Sequence, residues 1–145
     1  MNKMAGVLRL ESVEAPGLRF SARIGERAMI LDSSPGGHEA NPVQALLASI
    51  VACSAMDVVE ILRKKRQVLT AYEVSMSGER ATDHPRRYVS IHCVHRLTGR
   101  GVKRKAAEDA LNLSLEKYCS VSHCLRPDLP VTHTIEIFEE SPSDD

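Results

Sequence analysis

The sequence predicts an α+β fold in which a mainly antiparallel sheet packs on one long helix. Residues 41–66 carry a helix start, a long apolar run and a basic end. Short segments in which apolar and polar residues alternate lie in groups before and after this helix. A parallel sheet would instead need strands and helices to alternate along the chain. The 145 residues suit a single domain, placed at 1–138, followed by an acidic flexible tail at 139–145.

The N-terminal residues 1–33 are predicted to form a small meander of three strands. Apolar and polar residues alternate over 7–14 and over 17–23, and 26–32 has the composition of a third strand. A loop rich in Gly, Pro and Ser follows at 33–40. This loop leads the chain into the long helix.

The long helix is predicted over 41–66, with Asn41 as its N-cap and Pro42 at the first helical position. Apolar residues cover nearly all its faces, which is typical of a buried helix. Several polar residues interrupt the apolar run and argue against a membrane span: Gln44, Ser49, Ser54, Asp57 and Glu60. One sheet covers only one side of such a helix, so we expect a homodimer to cover the other.

The rest of the chain is predicted to hold two strands, two helices and a last strand. Alternation marks strands at 71–80 and 87–97, with 67–70 as a connector and 98–101 as a break. A second helix is expected over 102–118, a short one over 119–125 and a strand over 131–138. His95 and His133 fall on the inner faces of their strands. Each is predicted to be a hydrogen-bonded core histidine rather than a metal ligand.

Charge and cysteine usage narrow the class of protein. The formal net charge is zero, which gives no electrostatic reason to expect a nucleic-acid or membrane partner. The first twelve residues have no apolar signal core, and four cysteines in a chain of this kind are thiols by default. We therefore expect a cytoplasmic protein.

The cysteines are the candidates for chemistry. Cys93 alternates with apolar residues and is predicted to be a core residue, and burial alone favours the same for Cys53. Cys119 falls where a helix is predicted to begin, so a reactive thiolate and an ordinary capping cysteine both stay open. Cys124 is expected to pack or to be partly exposed. The cysteines form no C-x-x-C pair, so neither a metal nor a cofactor is predicted.

Three pieces of the sequence together resemble the OsmC family, which includes the organic hydroperoxide resistance proteins. They are NPVQALLASIVACSAMDVVEIL (41–62), LSLEKYCSVS (113–122) and VTHTIEI (131–137). The shared features are an Asn-Pro helix start, a cysteine in mid-helix and a second cysteine in a C-x-x-S setting. The resemblance covers residues 34–138, and the match is closest to a less characterised branch of the family.

The resemblance implies an α+β intertwined homodimer that acts as a thiol peroxidase in oxidative stress defence. By analogy, Cys53 is the peroxidatic cysteine and Cys119 the resolving cysteine, with a small organic hydroperoxide as substrate and a dithiol as reductant. The hydroperoxide-resistance members carry a Glu directly after Asn-Pro, which positions an activating Arg. Here that position is Val43, and Arg27 is the first candidate for the activating arginine, with Arg19 second.

Two alternative functions use the same fold. One is a thiol–disulfide redox or sensor protein, which uses both cysteines without turning over peroxide. The other is a non-catalytic dimer that binds an apolar ligand. A metal site is a more distant alternative.

Overall fold

The computed structural model describes residues 1–141. The chain divides into two compact units, Met1–Leu47 and Ala48–Asp145. The mixed α+β class is confirmed, since both strands and helices are present. The predicted tail at 139–145 begins inside the last strand, and its residues 142–145 lie outside the described residues.

The N-terminal unit contains the expected three-stranded antiparallel meander. Its strands are β1 (Gly6–Leu10), β2 (Arg19–Ile24) and β3 (Arg27–Asp32), in the order β1-β2-β3. β1 ends at Leu10, earlier than predicted, and the chain then turns over residues 14–17, where the Gly17 N–H donates to the Glu14 carbonyl at 3.0 Å. Gly25 makes the turn between β2 and β3 with a φ of 58°, a conformation that glycine adopts without steric cost.

The long helix α1 spans Pro42–Lys64. A reciprocal capping box starts it: Asn41 Oδ1 accepts from the Gln44 N–H, and Gln44 Oε1 accepts from the Asn41 N–H, both at 2.9 Å. Arg63 and Lys64 occupy its last turn, as the sequence predicted. The helix therefore follows from its own caps and composition.

The length and apolar composition of α1 also meet the requirements of a membrane span. Its mean hydropathy reaches 2.0, and 28% of that apolar stretch is buried within the protein. Core helices of soluble proteins meet the same requirements. The polar Ser54 is buried in the helix, where its hydroxyl donates to the Val51 carbonyl at 3.1 Å.

The second unit contains a sheet of β4 (Val68–Arg80), β5 (Tyr88–Arg100) and β6 (Val131–Glu139), with β5 in the middle. β5 pairs antiparallel with β4 and parallel with β6. The predicted connector at 67–70 and break at 98–101 are wrong, since residues 68–69 pair with residues 99–100. Gly99 is a site of close approach between strands, because a Cβ there would collide with the Val68 carbonyl.

Helical segments connect β5 to β6. They are α2 (Arg104–Leu113), a π-helical turn (Ser114–Tyr118) and the one-turn helix α3 (Ser120–His123). The prediction of one helix over 102–118 is corrected at its C-terminal end, where the Cys119 N–H donates to the Ser114 carbonyl at 2.7 Å. The core of this unit joins residues of α1, β5 and α2: Val58, Leu62, Leu97, Ala106, Ala107, Ala110 and Leu111.

Candidate active site

Cys53 and Cys119 come together in the second unit. Cys53 lies in the middle of α1, and Cys119 lies between the π-helical turn and α3. The Cys119 side chain and the backbone of Val121 both lie within hydrogen-bonding reach of the Cys53 thiol. Cys119 is fully buried, Cys53 is half-buried, and both are free thiols. Two cysteines 66 positions apart in sequence are thus direct neighbours.

The surroundings of Cys53 favour its protonated form. Burial raises the pKa of the Cys53 thiol, and the neighbouring Cys119 and Asp57 raise it further. The backbone of Val121 acts in the opposite direction and does not cancel the increase. None of these groups is cationic, so Cys53 is a thiol rather than a thiolate at neutral pH in this environment.

Hydrogen bonds hold Cys119 in place on both sides. Its Sγ lies 2.9 Å from the Ser122 hydroxyl, and its carbonyl accepts from the His123 ring Nδ1 at 2.8 Å. The predicted helix start at this cysteine is present, but α3 has only four residues. Its helix dipole is accordingly small.

Asp57 lies one turn after Cys53 on α1. Its carboxylate accepts a hydrogen bond from the Ser114 hydroxyl at 2.8 Å. This bond ties α1 to the π-helical turn that precedes Cys119. The negative charge of Asp57 also raises the pKa of the Cys53 thiol.

The two candidate activating arginines lie in the N-terminal unit. Arg27 is the exposed first residue of β3. Arg19 on β2 forms an ion pair with Glu11 at 2.7 Å, and its guanidinium lies 3.8 Å from Asp32 and from Glu39. Their roles in activating Cys53 stay predictions.

The other two cysteines lie where the sequence placed them. Cys93 is 1% exposed in β5, where burial raises the pKa of its thiol, and Cys124 is exposed after α3. Within residues 1–141, no group of three or more His, Cys, Asp or Glu side chains is arranged to hold a metal ion. The prediction that no metal is used stays a prediction.

A hydrogen-bonded chain of three rings crosses the second sheet. The Tyr72 hydroxyl lies 2.6 Å from His95 Nδ1, and His95 Nε2 lies 2.9 Å from His133 Nδ1. His95 is a hydrogen-bonded core histidine as predicted, whereas His133 is hydrogen-bonded but only half-buried. Burial lowers the pKa of His95 to about 4 and also lowers that of His133. The role of Tyr72 could not be predicted from the sequence, because only the pairing of β4 with β5 brings it to His95.

Three comparisons with known proteins bear on the family. The family model for OsmC-like proteins matches residues 35–134. The chain belongs to the OsmC-like protein family. Protein YhfA of Escherichia coli K12 is 37% identical over 125 residues, which cover 83% of this chain and 91% of that protein.

Solved structures of other proteins share the fold. A hypothetical protein from Aquifex aeolicus is 30% identical with a TM-score of 0.83, covering 97% of this chain and all of that one. The organic hydroperoxide resistance protein OhrB of Bacillus subtilis is 14% identical with a TM-score of 0.59, covering 91% of this chain and 98% of that one. At that identity the likeness shows the fold alone. The structures that share this fold therefore include an organic hydroperoxide resistance protein and a protein described only as hypothetical.

Proposed function

We propose that this OsmC-like protein is a thiol-dependent, peroxidase-like protein that reduces organic hydroperoxides in oxidative stress defence. The observation that carries the proposal is the contact between the Cys53 and Cys119 side chains. A peroxidatic cysteine needs a second thiol close by to resolve its oxidised form. The hydroperoxide resistance proteins among the solved structures of the same fold support this assignment.

The proposed cycle has three steps. The Cys53 thiolate attacks the O–O bond of the hydroperoxide; a sulfenic acid forms on Cys53, and the leaving alkoxide takes a proton to become an alcohol. The Cys119 thiol then attacks the Cys53 sulfur, which forms the disulfide and releases water. A dithiol reductant restores both thiols by exchange and becomes a disulfide itself.

The raised pKa of Cys53 sets the condition for this cycle. A thiolate is the attacking species, so a cation must offset the effects of burial, Cys119 and Asp57. Arg27 is the first candidate for this cation and Arg19 the second. Val43 replaces the glutamate that orients the arginine in the hydroperoxide-resistance members, so we expect slower turnover than in those proteins.

We further propose that the protein works as a homodimer in the cytoplasm. Met56 on α1 is 68% exposed, although the helix that carries it is strongly apolar. An exposed apolar helix face is typical of an interface. A reducing cytoplasm would keep the free thiols ready for the next peroxide.

The test is a count of free thiols before and after one equivalent of cumene hydroperoxide. The wild type should lose two of its four thiols rapidly, while Cys53→Ser should lose none. Cys119→Ser should stop at a sulfenic acid on Cys53, detectable by dimedone labelling. Cys93→Ser and Cys124→Ser are the matched controls and should still lose two thiols.

A wild type that keeps all four thiols over minutes would exclude the peroxidase. The thiol–disulfide redox function is then favoured if oxidised glutathione or a chromogenic disulfide reagent still oxidises Cys53 and Cys119 to a disulfide. The specific observation in its favour is that the two thiols are neighbours, which a disulfide between them requires. If neither oxidant joins them, the non-catalytic ligand-binding dimer is the remaining alternative.

A further inference from the structure

A cavity of about 390 Å³ lies on the three-stranded meander of the N-terminal unit. Its volume falls within the range of small-molecule sites in proteins. The residues that line it come from all three strands: Val7, Arg9, Ser21, Ala22, Arg23 and Ala28. Residues that pair directly across antiparallel strands share a face of the sheet, so all of these except Ala22 lie on one face.

The lengths of the side chains explain why this face is concave. Ser21 on the central strand and Ala28 on β3 are short, whereas Arg9 and Arg23 have long side chains. Arg9 lies opposite Ser21, and Arg23 follows two residues later on β2, so the two arginines are diagonal neighbours. Diagonal neighbours lie about 7–8 Å apart, within reach of long side chains. The arginines therefore form walls of the cavity above short side chains.

The positive charge at this cavity is not neutralised. No carboxylate lines the cavity, and within residues 1–141 neither Arg9 nor Arg23 forms an ion pair or a side-chain hydrogen bond. Arg19, on the same face of β2, is the opposite case. Its guanidinium lies 2.7 Å from the carboxylate of Glu11 and 3.8 Å from that of Asp32. One end of this face is thus neutralised, and the other has two positive charges without a counter-ion.

Ser21 adds a hydroxyl between the two arginines. The residue is half-buried, and within residues 1–141 its side chain has no hydrogen-bond partner. A serine hydroxyl can rotate to donate to whichever acceptor is present. A guanidinium group can only donate. The polar side chains that line the cavity can therefore all donate to one anionic group.

The charge of this donor set matches a phosphate monoester. Guanidinium groups match the oxygen geometry of phosphate and carboxylate alike. A phosphate monoester carries a charge of about −1.5 to −2 at neutral pH, which balances two arginines, whereas a carboxylate or a sulfate ester carries a single charge. Val7 and Ala28 supply an apolar part of the wall, which suits a small organic group next to the phosphate.

We propose that this cavity binds the phosphate group of a small organic phosphate monoester between Arg9 and Arg23, with a further hydrogen bond from the Ser21 hydroxyl. The bound phosphate offsets the repulsion between the two positive charges. All the lining residues belong to the N-terminal unit, and neither cysteine of the thiol pair is among them. The site is therefore a function beyond the proposed peroxidase.

The experiment compares phenyl phosphate with phenyl sulfate, which has a similar shape but a single negative charge. Isothermal titration calorimetry on the full chain measures both affinities at about pH 7.5 and constant ionic strength. Phenyl phosphate should bind about tenfold more tightly, the ratio expected for one further hydrogen bond to a charged group. Inorganic phosphate should bind more weakly than phenyl phosphate, because it lacks a ring to contact the apolar part of the wall.

Charge variants test the two arginines. Arg9→Gln and Arg23→Gln should each weaken the binding of phenyl phosphate about tenfold. Arg86→Gln removes an exposed arginine of the second unit and is the matched control, so its affinity should equal that of the wild type. Circular dichroism checks that each variant folds. If a variant does not fold, the ratio of phenyl phosphate to phenyl sulfate in the wild type decides.

Shape variants test the cavity itself. Ala28→Ile keeps both positive charges but fills the space between them, so it should abolish binding. Met29→Ile, on the opposite face of the same strand, is the control and should bind as the wild type does. Cys53→Ser should also bind as the wild type does, so a failed peroxidase assay leaves this proposal standing.

Several results would overturn the proposal. Equal affinities for phenyl phosphate and phenyl sulfate would show that the two arginines do not act together on one group. Equal losses in Arg86→Gln and Arg9→Gln would reduce the effect to overall charge. Equal affinities for phenyl phosphate and inorganic phosphate would assign the cavity to free phosphate. No binding at millimolar phenyl phosphate would exclude the site, and weaker self-association of Arg23→Gln would then assign the arginines to a second copy of the chain.

Discussion

The Sγ atom of Cys119 lies 2.9 Å from the Oγ atom of Ser122, in a position that solvent does not reach. This contact joins the predicted resolving cysteine to the first turn after it. It fixes the orientation of a thiol that must meet Cys53 for a disulfide to form. Its removal should therefore affect both the stability of the protein and the chemistry of the pair.

Ser122→Ala should lower the free energy of unfolding by about 1 kcal/mol, because a partly buried hydrogen bond is lost and the buried Cys119 thiol loses this partner. Urea denaturation measures this change. Ser120→Ala, at an exposed position of the same short helix, is the control and should stay within about 0.5 kcal/mol of the wild type. Equal stabilities of the two variants would show that the Ser122 contact contributes nothing.

Asp57→Asn should make Cys53 reactive at lower pH. The Asp57 charge is one of the groups that raise the pKa of Cys53, and asparagine keeps an oxygen to accept from Ser114. The rate of Cys53 alkylation by iodoacetamide, followed peptide by peptide between pH 6 and 10, should rise at a lower pH than in the wild type. Glu60→Gln is the control, because it removes a charge from the same helix and Glu60 is not among the groups that raise the pKa of Cys53. A matching shift in that control would make the effect non-specific.

Stability should fall as the pH is lowered from about 6.5 to about 4. His95 is neutral in the folded protein because burial lowers its pKa to about 4, whereas its ordinary value is 6.5. In that window the unfolded chain binds a proton that the folded chain does not, which costs up to about 3 kcal/mol at the acid end. Above pH 6.5 this cost is absent and the stability is at its full value, because the His95 ring is then neutral in both the folded and the unfolded state.

Urea denaturation at several pH values measures this dependence. His95→Gln should flatten the slope of unfolding free energy against pH between 4.5 and 6.5. The exposed His84, which is not among the groups that act on His95 or His133, supplies the control variant His84→Gln. A slope unchanged in His95→Gln would mean that other groups bind the extra proton.

Met56→Asp should convert the expected homodimer into monomers. Met56 is exposed on the apolar helix α1, and a charge buried at an interface is strongly unfavourable. Sedimentation at micromolar concentration should show a dimer for the wild type and a monomer for the variant. Lys64→Asp, at the exposed end of the same helix, should leave the dimer intact. A wild type that sediments only as a monomer would contradict the dimer itself.

Local signals were sufficient to predict most of the secondary structure. The capping residues Asn41 and Gln44 start α1 through bonds that depend only on neighbours in sequence. Alternation predicted β4 and β5, but Gly99 was taken as a break because its pairing with Leu69 depends on a distant strand. The π-helical turn before Cys119 was also not predicted. Its hydrogen bond from the Cys119 N–H to the Ser114 carbonyl, five residues earlier, leaves no recognisable pattern in the amino-acid sequence.

The sequence by itself determined the elements, the family resemblance and the two cysteines that define the candidate site. These features depend on residue type and local spacing, which a chain carries before it folds. Only the tertiary structure decided that Cys119 lies close enough to raise the pKa of Cys53, and that Tyr72, His95 and His133 form one chain. Such properties depend on distances across the sheet and between helices, which packing sets when α1, the π-helical turn and the three strands of the second sheet come together.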